Sequence, residues 1–182
     1  MRLPQYAVVA YVRNEVGSFV EELRRELYPE HAHLPAHLTM LPPRQLIAGE
    51  GETVQALHEL CRGVEPFEVA IGEVASFCPV TPTVFLQVEH GAYRMRELHD
   101  RLNTRLFQQD EPWPYMPHLT IVKMASEEQA QAARAQATER WSAYRGSKRI
   151  LVEQLTFVRE STEGRWLDLA PVRLGKKTVA SR

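Results

Sequence analysis

Two stretches decide how this chain reads: Ala36-His37-Leu38-Thr39-Met40 and Pro117-His118-Leu119-Thr120-Ile121. The tripeptide His-Leu-Thr recurs 81 residues after its first appearance. In an extended strand, side chains i and i+2 share a face. Each copy therefore projects an imidazole and a hydroxyl to one side and turns its Leu toward a core. Two such strands brought together give an acid, a base and two neutral hydrogen-bond donors around one cleft, with no metal required. A lone H-x-T is ordinarily a half-exposed His beside a β-favouring Thr. With seven His and ten Thr in 182 residues, chance gives fewer than one H-x-T of any kind. Two copies with the same central Leu are therefore a signal.

The flanking segments give each copy the same setting. Residues 6–12 (YAVVAYV) read as a buried strand, and Asn14 can cap the segment after it. Val16, Phe19, Val20, Leu23 and Leu27 fall on one helix face, which Pro29 ends. The loop HAHLPAH then leads into the first His-Leu-Thr strand, ending at Pro42-Pro43. A helix is expected at 52–62 and strands at 66–76 and 83–89. The second round follows with a helix at 92–108, the Pro-rich turn EPWPYMP, and the strand 118–123. A helix over 126–144, with Ser126 near its start, and strands at 149–159 and 165–174 complete it. Gly164 marks the turn between those last two strands. The order β-α-β-α-β thus occurs twice, with one strand added. Mixed strands, helices and hairpins predict an α+β fold of two sheets with helices outside.

Composition narrows the classes. The chain is 44% hydrophobic and 25% charged, ordinary for a soluble globular protein. Residues 1–175 are expected to form a single domain, with 176–182 as a flexible tail. The net charge of −1 excludes a protein that grips long duplex nucleic acid through a basic face. It leaves room for a small anionic substrate or a nucleic-acid end. No apolar run approaches the ~20 residues of a membrane span. With no signal peptide and two cysteines that match no metal spacing, the chain is expected in the cytoplasm, its thiols reduced.

Cleavage of a phosphodiester by in-line attack needs one group to take a proton from the nucleophile. A second group must deliver one to the leaving oxygen. Imidazole suits both tasks because its pKa lies near working pH. Threonine hydroxyls can donate to the non-bridging oxygens, where charge accumulates. Phe77 and Tyr115 could stack on a base. Arg44 and Lys123, just past the two motifs, could lend positive charge. His31, His33 and His37 suggest a zinc site only weakly, since Pro35 interrupts any regular geometry between them. No metal or cofactor is expected.

The paired motifs resemble the 2H phosphoesterase superfamily, which includes bacterial 2′-5′ RNA ligase-like proteins and cyclic phosphodiesterases. The flanks AHLTMLPP, ASFCPVTPTVFLQVE and PYMPHLTIVK are similar to the YjcG-like branch of small bacterial phosphoesterases. The resemblance implies a bilobal fold with pseudo-two-fold symmetry and two antiparallel-rich sheets lining a central cleft. It implies His37 and His118 as the acid/base pair and Thr39 and Thr120 as phosphate ligands. Which His is acid and which is base stays open. The implied substrate is a cyclic phosphate or a 2′-5′ phosphodiester of a nucleotide or RNA end, with ligation as the reverse reaction. A monomer is expected. Two alternatives remain: a non-catalytic nucleotide- or RNA-end-binding protein using the same cleft, and an acyl or thioester substrate.

Overall fold

A computed structural model describes residues 3–161 and 165–175. The strand β1 (Tyr6–Tyr11) is followed by the helix α1 (Glu15–Leu27), β2 (His37–Arg44), α2 (Glu50–Cys61) and β3 (Phe67–Ser76). The second round runs β4 (Thr83–His90), α3 (Ala92–Leu102), β5 (His118–Lys123), α4 (Glu127–Ala143), β6 (Arg149–Val152), β7 (Gln154–Glu160) and β8 (Trp166–Arg173). Helix starts follow the capping chemistry of the sequence. The Asn14 side chain accepts from the Gly17 amide at 3.3 Å, and Ser126 Oγ accepts from the Gln129 amide at 3.2 Å.

The strands form one eight-stranded antiparallel sheet in the order β6-β3-β4-β5-β2-β1-β7-β8. Its two four-stranded halves meet where β2 runs beside β5. A pseudo-two-fold relates β2 to β5, β1 to β4, and β7 to β3. The rounds exchange strands: β3 of the first pairs with β4 of the second, and β7 of the second pairs with β1 of the first. Leu38 and Leu119 are fully buried beneath the seam in the same core as α1 and α3 residues such as Leu23 and Met95. The opposite face carries the histidines and threonines.

Three expectations change. The segment 149–159 is two strands, broken at Glu153, because the chain there leaves β3 and joins β1. In a flat sheet those positions would lie about 29 Å apart, six strand spacings. One residue cannot span that, so the sheet curls to bring its two ends together. The helix expected at 92–108 ends at Leu102 and resumes as a 3-10 turn over Arg105–Phe107. The Asn103 side chain accounts for the break, since its Oδ1 accepts from Arg44 Nη1 at 2.8 Å and from the Gln109 amide at 3.0 Å. The strand β2 also continues through Pro42-Pro43 to Arg44. It pairs with β1 along that length, and its registered contact with β5 is at Leu38, so the prolines occupy an edge that needs no donor. Gly164 and residues 176–182 lie outside the described residues.

Candidate active site

The registered pair at the seam is Leu38 with Leu119, the central residues of the two tripeptides. Antiparallel pairing carried one residue to either side sets His37 beside Thr120, and Thr39 beside His118. All four side chains are half-buried on one face, while Leu38, Met40, Leu119 and Ile121 are buried on the other. The pseudo-two-fold axis thus passes through the site.

Each imidazole is held the same way. His37 Nδ1 lies 2.8 Å from the Pro35 carbonyl, and His118 Nδ1 lies 2.7 Å from the Met116 carbonyl, each two residues upstream. A carbonyl only accepts, so Nδ1 carries the proton in both rings and Nε2 is left for the substrate. Burial pushes both imidazoles below the ordinary histidine value, against the opposing effect of these carbonyls. At His37, the Arg24 cation and His118 push in the same direction as burial. The resting pair is therefore biased toward neutral rings. A bound phosphate anion would oppose that bias and favour a proton on one ring.

The two sides of the axis differ. On the His118 side, Phe85 pairs with Thr120, and Gln87 pairs with His118. Phe77 stacks on Phe85 with centroids 4.2 Å apart, and both rings meet His118 edge-on at 5.0 and 5.2 Å. On the His37 side the positions equivalent to Phe85 and Gln87 are Val9 and Tyr11. The smaller Val9 leaves a cavity of about 540 Å³ lined by Val9, Tyr11, His37, Thr39, Val158 and Trp166, with His33 and Arg165 at its edge. Tyr11 donates to Asp168 across the sheet, and the Arg13 guanidinium lies over its ring at 5.0 Å.

The remaining sequence candidates separate. Phe77 is at the site, but as the wall against which His118 packs. Tyr115 stacks flat on the buried His99 at 4.1 Å, and its hydroxyl donates to the Thr39 carbonyl at 2.8 Å. It ties the two motifs together and is not an open platform for a base. Arg44 does not face the cleft. It is 3% exposed, and its guanidinium donates to the carbonyls of Pro42 and Phe107, to Asn103 and to Glu111. Two register shifts interrupt the alternation of β2 past Thr39, and Arg44, opposite the buried Tyr6, ends on the helix-side face with residues 38 and 40. Lys123 is exposed at the end of β5, opposite Thr83. His31 meets the Tyr28 ring edge-on, and His33 Nδ1 faces the Glu30 carbonyl. Among the described residues no group of three His, Cys, Asp or Glu side chains converges to hold a metal.

Arg24 was not apparent from the sequence as a site residue. It donates to the carbonyls of Ile121 (2.8 Å), Thr120 (2.7 Å) and Leu34. The signal was present: residue 24 lies four after Val20 and three before Leu27, on the buried stripe of α1.

Comparison with known proteins gives the chain's family. A model of the 2′-5′ RNA ligase superfamily matches residues 12–164. The chain belongs to that superfamily. It is 30% identical over 118 residues to "Putative phosphoesterase BH1439" of Halalkalibacterium halodurans, covering 64% of this chain and 68% of that one. Its fold matches TT0787 of Thermus thermophilus with a TM-score of 0.63 at 17% identity, over 95% of this chain and 99% of that one. It also matches E. coli LigT complexed with 3′-AMP, with a TM-score of 0.58 at 18% identity, over 95% and 99% of the two chains. LigT has further been solved with NADP+, phosphate and ATP. The residues matched by the family model include both motif strands.

Proposed function

We propose that this chain is a metal-independent phosphoesterase that opens a 2′,3′-cyclic phosphate, or cleaves a 2′-5′ linkage, at a nucleotide or RNA end. The observation that carries the reading is the Leu38–Leu119 register, which sets two Nδ1-anchored imidazoles and two threonines side by side on one face of the sheet. Thr39 and Thr120 donate to the non-bridging oxygens, where negative charge grows in the transition state. Membership of the superfamily and the nucleotides bound by LigT support a nucleotide-sized ligand.

The open cavity beside His37, with its counterpart filled by Phe77 and Phe85, supports a division of labour. The nucleoside occupies the His37 side, with Tyr11 and Trp166 against its base. Water then attacks phosphorus from the His118 side. His118 Nε2 takes the water proton as the new P–O bond forms. The bond to the ribose oxygen breaks opposite it, and that oxygen receives the Nε2 proton that His37 takes up when the phosphate anion binds. The same sequence, with the 5′-hydroxyl of a second end in place of water, joins that end to the cyclic phosphate as a 2′-5′ linkage when the P–O3′ bond breaks; its reverse cleaves the linkage.

The test is turnover of 2′,3′-cyclic nucleotides followed by product separation. His37→Ala and His118→Ala should each abolish turnover in folded protein, and EDTA should leave the wild type active. Wild-type rates in both histidine variants would overturn the mechanism. Binding without any product would instead favour a binding protein using the same cleft. A cyclic substrate with sulfur in place of the leaving oxygen needs no acid. It should restore His37→Ala and leave His118→Ala inactive.

A further inference from the structure

The contact between the two motif strands is thin. Each motif strand pairs along its length with its own neighbour, β1 for β2 and β4 for β5, yet β2 and β5 share the single registered pair Leu38–Leu119. Two strands joined at one point can shear, and an error of about 1 Å in the placing of catalytic groups can cost on the order of 10²-fold in rate. Side chains that cross the seam are therefore decisive.

Arg24 crosses it from beneath. It belongs to α1, which packs on β5, so a helix of the first round lies under the strand of the second. Its guanidinium is 4% exposed and directs its planar fork at three carbonyls from two segments. Two belong to the second motif, Thr120 and Ile121, and the third is Leu34, three residues before His37. Glu21, one turn earlier on α1, accepts from the Ala36 amide at 2.9 Å. Helix α1 thereby grips both the residue before His37 and the backbone of Thr120. Tyr115 makes the reciprocal link from the loop before the second motif to the Thr39 carbonyl.

We propose that Arg24 is a positioning residue for the two-histidine site, its guanidinium clamping the Thr120–Ile121 backbone to the Leu34 loop so that both imidazoles meet one phosphate. The proposal rests on the phosphoesterase reading. A side chain placed here purely for packing would be replaceable by an apolar stem of similar length. A clamp would not be replaceable. A lysine keeps the charge, but its compact ammonium lacks the fork needed to span carbonyls on two segments.

The experiment uses Arg24→Lys and Arg24→Met in the full chain. Thermal unfolding first identifies the folded variants. Each folded variant should lose kcat on 2′,3′-cyclic nucleotides by about 10²-fold while KM stays within a few-fold, because the cavity beside His37 is untouched. Amide hydrogen exchange at Leu38, Leu119 and Thr120 should quicken relative to β1 and β7. A folded variant of either kind that keeps the wild-type kcat overturns the proposal. Should the wild-type protein itself turn over no cyclic phosphate, the phosphoesterase reading fails separately. Exchange at the seam then decides the clamp by itself, and unchanged protection in a folded variant overturns it.

Discussion

At the scale of single residues, the site depends on where protons rest. Both imidazoles are anchored through Nδ1 and desolvated, so the folded protein resists protonating them. The unfolded chain binds those protons once pH falls below about 6.5. Between that value and the depressed folded values, the unfolded state holds more protons, so stability rises with pH and is lost on acidification. His37→Asn combined with His118→Asn should flatten the acid side of a Tm-against-pH profile between pH 5 and 7. Parallel profiles for variant and wild type would show that the rings titrate freely. Size at one position also matters. Val9 and Phe85 are equivalent about the pseudo-axis, and only Val9 leaves a cavity. Val9→Phe should raise KM for cyclic nucleotides by about tenfold or more while thermal stability holds. A KM equal to wild type would place the nucleoside elsewhere.

At the scale of elements, the motif strands work because each separates a polar face from an apolar one. This much was legible in the sequence: His-Leu-Thr-Met and His-Leu-Thr-Ile alternate with period two, and α1 and α4 begin at residues that cap them. Arg44 was harder to place, since its parity puts it with the core while its charge suggests the surface. It resolves that conflict by joining β2 to the end of α3 and to Glu111, which also faces Nε2 of His99 at 3.0 Å. Arg44→Ala leaves Glu111 and two carbonyls short of a donor, and should cost roughly 3–5 kcal/mol. Urea unfolding measures this. KM of the folded variant should match wild type because residue 44 faces away from the cleft. The break at Glu153 was not legible, because 149–159 contains no Gly or Pro to mark it, and the polar pair Glu153-Gln154 fits a continuous strand as well as a broken one. Only the exchange of partner strands distinguishes β6 from β7.

At the scale of the whole molecule, that exchange determines what can fold alone. Sequence order suggests two successive units, β1 to β3 and β4 to β8. Strand order contradicts this, since β3 is held between β6 and β4, and β1 between β2 and β7. A cut within residues 78–82, between β3 and β4, would strip β3 of both partners. It would also leave β7 without β1, and expose the apolar faces of Val69, Ile71, Leu155 and Phe157, all buried in the intact chain. Neither fragment would keep the eight-stranded sheet. Each would expose edge strands that invite aggregation. The expected outcome is that fragments 1–80 and 81–182, made separately, lack the cooperative thermal transition of the intact chain. Co-expression should recover both the transition and turnover, because each fragment carries one motif and strands that the other needs. A separately folded fragment with its own transition would show that the strand exchange is not required for stability. The site adds a stricter condition. One fragment supplies His37 and Thr39, the other His118 and Thr120. Activity can therefore return only with the seam between β2 and β5, and its appearance reports reassembly of the whole sheet.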